Sequence, residues 1–222
     1  MKSSLTWMQE YVDVDMNQDP QAFADKLTMA GIPVEQVEYW GRDIKKVMTG
    51  KILQIDRHPD ADKLVVCQVD MGDEQLQIVT AATNVRVGQI VPVAVHGAHL
   101  PGGTKIKRSK LRGVLSNGMF CSAHEFGFDD SLLLPEEKEG IWILPADTPL
   151  GVDAAEYMQV RDVVYEYELT ANRADCFSMV GLSREFAALS GKEARYPEIS
   201  VKECDTAIDG KVKVSIDDEE LC

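Results

Sequence analysis

The 222-residue chain carries 23 lysines and arginines against 37 aspartates and glutamates, for a formal net charge of −14, and 45% of its residues are hydrophobic. That share builds an ordinary globular core, no run approaches the roughly 18–20 apolar residues of a membrane helix, and the polar, acidic opening MKSSLTWMQEYVDVDM has no signal-peptide character. The five cysteines (67, 121, 176, 204, 222) are odd in number and form no C-x-x-C pair, which fits free thiols in a reducing compartment, so the expected location is the cytoplasm, with no membrane partner.

At the start, Leu5, Met8 and Val12 fall on one face behind Ser3 or Ser4 as N-cap, which predicts a helix. Asn17 or Asp19 followed by Pro20 opens a second helix, with Phe23 and Leu27 one turn apart and Gly31 suited to the left-handed closing position. IPVEQVEYW then alternates like a strand. From Val47 the period becomes two: VMTGKILQID, LVVCQVDMG, LQIVTAA, IVPVAVHGA and a segment from Lys105 through GMFCSA are short β runs between Pro, Gly, Asn and Asp turns. Asn117-Gly118 is a hairpin-turn signal. About five such strands describe a small closed or nearly closed barrel, of which the OB-fold is the five-stranded version that binds oligonucleotides.

Beyond GIWILPADTPLG, the stretch VVYEYELTANRADCFSMVGLSREFAALSG predicts a strand, a polar turn and a helix with Leu182, Phe186 and Leu189 on one face and Gly191 as terminator. DGKVKVSIDDEELC begins a further strand and stops, as if cut from something longer. The expected fold class is α+β: a five-stranded OB-fold β-barrel (residues 41–150) inserted into a discontinuous small α+β domain made of residues 1–40 and 151–200, with 201–222 opening a following domain.

Charge is segregated along this plan. From Arg42 to Gly127 there are 12 Lys+Arg and 8 Asp+Glu, a balance of +4, and the remainder holds 11 against 29, a balance of −18. Local sign decides what a surface attracts, because screening confines exposed charges to roughly 8–10 Å at physiological salt. The stretch TKIKRSKLRG concentrates Lys105, Lys107, Arg108, Lys110 and Arg112 with no acid among them. Strand alternation puts 105 and 107 on one face and 108, 110 and 112 on the other, so a bulge or turn near Arg108 would be needed to gather them. They are the candidate phosphate contacts, with Lys63 and Arg86 as further cations and Ser116, Asn117 and Met119 as a possible ledge for nucleic acid; the competing reading is a solvated strand.

Other chemistries are less well supported. His96-x-x-His99 and Cys121-x-x-His124 supply four zinc-type ligands, but the spacing at strand ends splays them, so no metal is expected. Cys121-Ser122 near His124 imitates a nucleophile with its base, yet no orienting acid or oxyanion hole is marked. HPDAD is a polar turn in which Asp62 can pair with Lys63. In TANRADCF, Arg173 pairs with Asp175, and Asn172 or Asp175 caps the following helix.

Four ordered blocks, HPDADKLVVCQVDMG, LQIVTAATNVRVGQIVPVAVHGA, KIKRSKLRGVLSNGMFCSAHEFG and GIWILP, resemble the tRNA-binding domain shared by bacterial phenylalanine–tRNA ligase β subunits, the C-terminal extension of methionine–tRNA ligases and free-standing tRNA chaperones. The flanking LTWMQEYVD and ELTANRADCFSMVGLSREFAALSG resemble the two halves of the domain that surrounds this module in the β subunit. Departures from the pattern are Ala81 or Ala82 where Gly is frequent, Phe126 for Leu, and Ala171 and Ala174 where Pro flanks the NR pair, which leaves that loop less stiff.

The resemblance implies a role in ATP- and magnesium-dependent attachment of phenylalanine to tRNA. The chain itself would hold no cofactor and no catalytic residue. It further implies tRNA and an α subunit as partners in an α2β2 tetramer, aminoacylation on the α subunit, anticodon reading by a C-terminal domain, and an editing domain whose first strand begins near Lys211. A free-standing tRNA-binding module and a protein-interaction scaffold are the alternatives.

Overall fold

The computed structural model describes residues 1–15 and 18–221, and for Glu136 the backbone alone; the expected cap at Asn17 lies outside that range. Its strands are β1 (Lys2–Ser4), β2 (Val34–Trp40), β3 (Lys45–Arg57), β4 (Val65–Asp70), β5 (Gln75–Thr80), β6 (Ile90–Leu100), β7 (Thr104–Lys105), β8 (Ser109–Leu111), β9 (Val114–Ser116), β10 (Gly118–Phe120) and β11 (Asp162–Tyr167). The helices are α1 (Leu5–Met8), α2 (Pro20–Met29), α3 (Ala154–Tyr157) and α4 (Met179–Ser190), joined by several short helical turns. This is a mixed α/β chain built mostly of antiparallel sheets, and no helix among the described residues is long and apolar enough to cross a membrane.

The two ends of the chain share one sheet. β11 lies between β1 and β2, with Lys2 opposite Glu166 and Trp40 opposite Asp162. The opening residues are therefore strand before helix: α1 is one turn, started by Ser4, whose Oγ accepts the Trp7 N–H at 2.9 Å. α2 follows the expected plan, with the Asp19 carboxylate accepting the Gln21 N–H at 3.2 Å, Pro20 in the first turn and Gly31 at φ +92°. Phe23 of α2 and Phe186 of α4 meet at 5.0 Å between ring centroids, and Tyr165 from β11 packs beside them. Leu5, Met8, Val12, Leu27 and Leu182 complete this buried cluster.

α4 ends as expected on Gly191 at φ +67°. Its cap, however, is Ser178, which accepts the Gly181 N–H at 3.0 Å, in place of Asn172 or Asp175. Asp175 is engaged elsewhere. Its carboxylate receives Arg173 at 3.0 Å, and the same guanidinium reaches Glu185 of α4 at 2.6 Å.

The residues between form a second sheet in the order β10-β6-β3-β4-β5, with β7 added to β6 and with β8–β9 as a separate hairpin. One cluster, including Ile52, Cys67, Val69, Ile78, Val91, Val93 and Phe120, fills its inside. A further cluster joins Ala94, Ala98 and Leu100 to Ile44, Phe126, Ala154 and Ala155.

The hydrogen-bonded ladder does not close into a five-stranded barrel. Between β5 and the β9–β10 corner, one backbone bond (Asn117 N–H to the Gln77 carbonyl, 2.9 Å) is supplemented by side chains: the Val79 N–H donates to Ser116 Oγ at 3.0 Å, and Gln77 Nε2 donates to the Leu115 carbonyl at 2.6 Å. The segment from Lys105 to Phe120, expected as one run, is four short strands. Nor is Asn117-Gly118 a hairpin turn. The two-residue turn is Arg112-Gly113, at φ +46° and +87°, between the paired Leu111 and Val114. Gly118 serves a different need: a Cβ there would lie 2.3 Å from the Ala94 carbonyl, so only glycine lets β10 approach β6 so closely.

The strand expected from Lys211 is also absent. Residues 192–221 contain no strand, and Val212, Val214 and Ile216 are exposed. An alternating segment becomes a strand only when a neighbour takes up its backbone groups, and among the described residues none does.

Candidate nucleic-acid interface

Lys105 closes β7 opposite His99 on the edge of β6, and Ile106 continues the contact, its N–H donating to the Ala98 carbonyl at 2.9 Å. The chain then leaves the sheet, held once more where the Arg108 N–H donates to His96 Nδ1 at 3.1 Å. Lys110 and Arg112 follow on the β8–β9 hairpin. The parity change near Arg108 is thus a break between two sheets. All five cations are exposed, and none forms an ion pair with a described residue.

The hairpin is anchored from beneath by groups that sequence reasoning passed over. His58, only 6% exposed, sits in the β3–β4 turn and places Nε2 2.9 Å from the Leu111 carbonyl. Its Nδ1 accepts the Asp60 N–H at 3.1 Å, so the ring proton resides on Nε2 and is donated to Leu111. Gln77 and Ser116 make the other two attachments. Lys63 is exposed in this same turn and makes no ion pair with Asp62, so His58 and not a charge pair organises HPDAD.

The remaining candidates differ in availability. Arg86 is exposed in the β5–β6 connection, but its Nη1 donates to the carbonyls of Thr83 (3.0 Å) and Val85 (2.7 Å) of its own loop. Ser116 is 1% exposed and its hydroxyl is already occupied, accepting from Val79 and donating to the Gly118 carbonyl at 2.8 Å. Asn117 is half-buried and bonded to Gln77. Met119 is half-buried against the Ile44 and Phe126 cluster. The five cations face solvent, whereas Ser116 looks inward.

The nucleophile and zinc alternatives fail on geometry. Cys121 is fully buried, and burial pushes its thiol up to about 12, the wrong direction for a nucleophile. Glu125 is bound to the Ser122 N–H at 2.6 Å and to its hydroxyl. His124 points to the carbonyls of Phe128 and Lys138 and to Asp130. His96, His99, Cys121 and His124 form no ligand cluster among the described residues; the one group that does, Asp175, Cys176 and Glu185, is already bridged by Arg173. The four described cysteines, Cys67, Cys121, Cys176 and Cys204, are free thiols.

Residues 47–153 match the family described as "Putative tRNA binding domain". The chain is 50% identical over its whole length to the phenylalanine–tRNA ligase β subunit of Moorella thermoacetica, and 44% identical over its whole length to that of Syntrophus aciditrophicus, covering 27% of each relative. Identity to the Clostridium acetobutylicum protein of the same name is 46% over 91% of this chain and 25% of that one. The chain therefore spans about a quarter of the length of the curated relatives it matches. A solved structure titled as a MetRS related protein from Pyrococcus horikoshii matches 47% of this chain and 84% of its own at 21% identity, with a TM-score of 0.34. Residues 47–153 thus match a family described as a putative tRNA-binding domain, and over its full length the chain is similar to about a quarter of the length of the phenylalanine–tRNA ligase β subunits named above.

Proposed function

We propose that this chain acts as the non-catalytic N-terminal region of a phenylalanine–tRNA ligase β subunit and contributes tRNA binding to the ATP- and magnesium-dependent attachment of phenylalanine to tRNA. On this reading it works in the cytoplasm, beside an α subunit in an α2β2 tetramer. Residues 41–150 form an OB-fold-like module inserted into a discontinuous domain of residues 1–40 and 151–200, and residues 201–222 lead into a following, editing-type domain. The relatives' printed name, the sheet assembled from both ends of the chain, and the β5 to β9–β10 bonds that bring the insert's two edges together support this reading.

The observation that carries tRNA binding is the group of exposed, unpaired cations Lys105, Lys107, Arg108, Lys110 and Arg112 within the matched domain. Lys63 and Arg86 are further candidate contacts, and Ser116, Asn117 and Met119 are the candidate ledge. Four or five phosphate contacts give a slope of log affinity against log salt of roughly −3 to −4, at 0.7–0.9 per contact. The test is tRNA affinity at two salt concentrations for the chain and for Lys107→Glu/Arg108→Glu/Lys110→Glu. A large loss with a flatter slope is expected; unchanged affinity and slope would reject these side chains. Mixing the chain with α subunit should yield no aminoacylation, and full charging activity would contradict a non-catalytic role.

A further inference from the structure

We infer that Lys45, Lys46 and Lys105, arranged around His99, form a second row of phosphate contacts for an RNA backbone, alongside the cations of the β8–β9 hairpin. This inference rests on the tRNA-binding reading above and adds residues that the sequence pattern did not single out. In the register of the sheet, Lys45 of β3 is directly opposite His99 of β6, and His99 is directly opposite Lys105 of β7. Residues directly opposite in antiparallel strands project from the same face. Burial agrees: Ile44, Ala98 and Leu100 point inward, while Lys45 and Lys105 are exposed and His99 is half-exposed.

A further lysine joins this row. Between Lys45 and Val47 the β3–β6 register shifts, and Lys46 takes the left-handed conformation at φ +57°. Its Nζ thereby lies over Gly97 of β6, 3.5 Å from where a Cβ would stand. Next to Gly97, the exposed His96 accepts the Arg108 N–H on Nδ1 at 3.1 Å, which ties the start of the hairpin segment to β6. The backbone beneath is fixed by the Gly97 N–H to Ile106 carbonyl bond at 2.8 Å and the Ile106 N–H to Ala98 carbonyl bond at 2.9 Å.

Like charges set opposite each other in a sheet repel. Two strand spacings separate the backbones of Lys45 and Lys105, about 10 Å, which is close to the screening length of roughly 8–10 Å, so the charges act as one field. Among the described residues no carboxylate pairs with Lys45, Lys46, Lys105 or Arg108. A row of cations left without internal counter-charge, on a backbone that is already rigid, is neutralised by an external polyanion. The neighbouring hairpin cations give that polyanion a continuous track.

The experiment measures tRNA affinity of the chain between about 50 and 200 mM salt, where phosphate contacts dominate the salt response. Variants are Lys45→Gln/Lys46→Gln, the charge-preserving Lys45→Arg/Lys46→Arg, and Lys51→Gln, an exposed lysine elsewhere on β3. Two lost contacts flatten the slope by about 1.4–1.8 and weaken binding tenfold or more near 0.1 M salt. The arginine pair should bind like the wild type, Lys51→Gln should change little, and all variants should melt at the wild-type temperature. If Lys45→Gln/Lys46→Gln keeps the wild-type slope while Lys107→Glu/Arg108→Glu/Lys110→Glu loses it, the second row is refuted and the tRNA-binding reading stands. If the wild-type chain binds no tRNA at low salt, both fall together.

Discussion

His58 offers a direct way to separate the scaffold from the charges it carries. Replacing it with alanine removes two hydrogen bonds, from Nε2 to the Leu111 carbonyl at 2.9 Å and from the Asp60 N–H to Nδ1 at 3.1 Å, together with a ring that is 6% exposed. At about 1 kcal/mol net per bond plus the lost packing, the global cost is about 2–3 kcal/mol. Asparagine separates the two bonds. Its side-chain oxygen can still accept the Asp60 N–H as an Asx turn, but it is too short to reach Leu111. His58→Asn should therefore recover about 1 kcal/mol relative to alanine while leaving the hairpin equally unlatched. Urea unfolding gives the first quantity. Amide exchange at Leu111 and Val114 gives the second, and it should quicken about 5- to 10-fold in both variants, since each 1.4 kcal/mol is a factor of ten. Unchanged exchange in both variants would refute the latch, and equal stability of the two would refute the Asp60 bond.

Other consequences follow from single contacts. Gly118→Ala places a Cβ against the Ala94 carbonyl at 2.3 Å and should cost about 2 kcal/mol or more, read as a lowered melting temperature. Phe186→Ala opens the cluster shared by α2, α4 and β11 and should cost about 3–5 kcal/mol in urea unfolding. The Arg173 guanidinium holds the Asp175 carboxyl below the usual carboxylate range, so the stability from this pair is present above about pH 4 and is lost as pH falls through the lowered value; Arg173→Gln should flatten that acid limb of the stability curve. Thiol alkylation near neutral pH should mark the exposed Cys204 and spare Cys67 and Cys121, whose thiols burial pushes up to about 11 and about 12.

Much of the fold was readable where local signals act alone. α2 carries its own cap, proline and closing glycine, and α4 its stripe and Gly191; β4, β5 and β6 are short, apolar-rich runs bounded by turn residues. What escaped depends on partners distant in sequence. Ser4 looks like the start of a helix, and only β11, about 160 residues on, makes Lys2–Ser4 a strand. Asn117-Gly118 has the composition of a turn, but its glycine is required by a neighbouring strand, while the true turn uses Arg112, a residue without turn preference. The cations of TKIKRSKLRG announced themselves by density. Lys45 and Lys46 did not, because their relation to Lys105 exists only through the register of β6, and His58 was a lone histidine in a polar loop.

The sheet shared by both ends also sets an order of events during synthesis. β1 and β2 have no strand to join until β11 has been made, about 130 residues after Trp40. At 5–20 residues per second this is a delay of roughly 6–25 s. Leu5, Met8, Phe23 and Leu27 lack the β11 and α4 side of their cluster for that interval while the intervening β segment can already assemble. Residues 1–40 are accordingly the last part of this arrangement to gain their sheet partner, although they are made first.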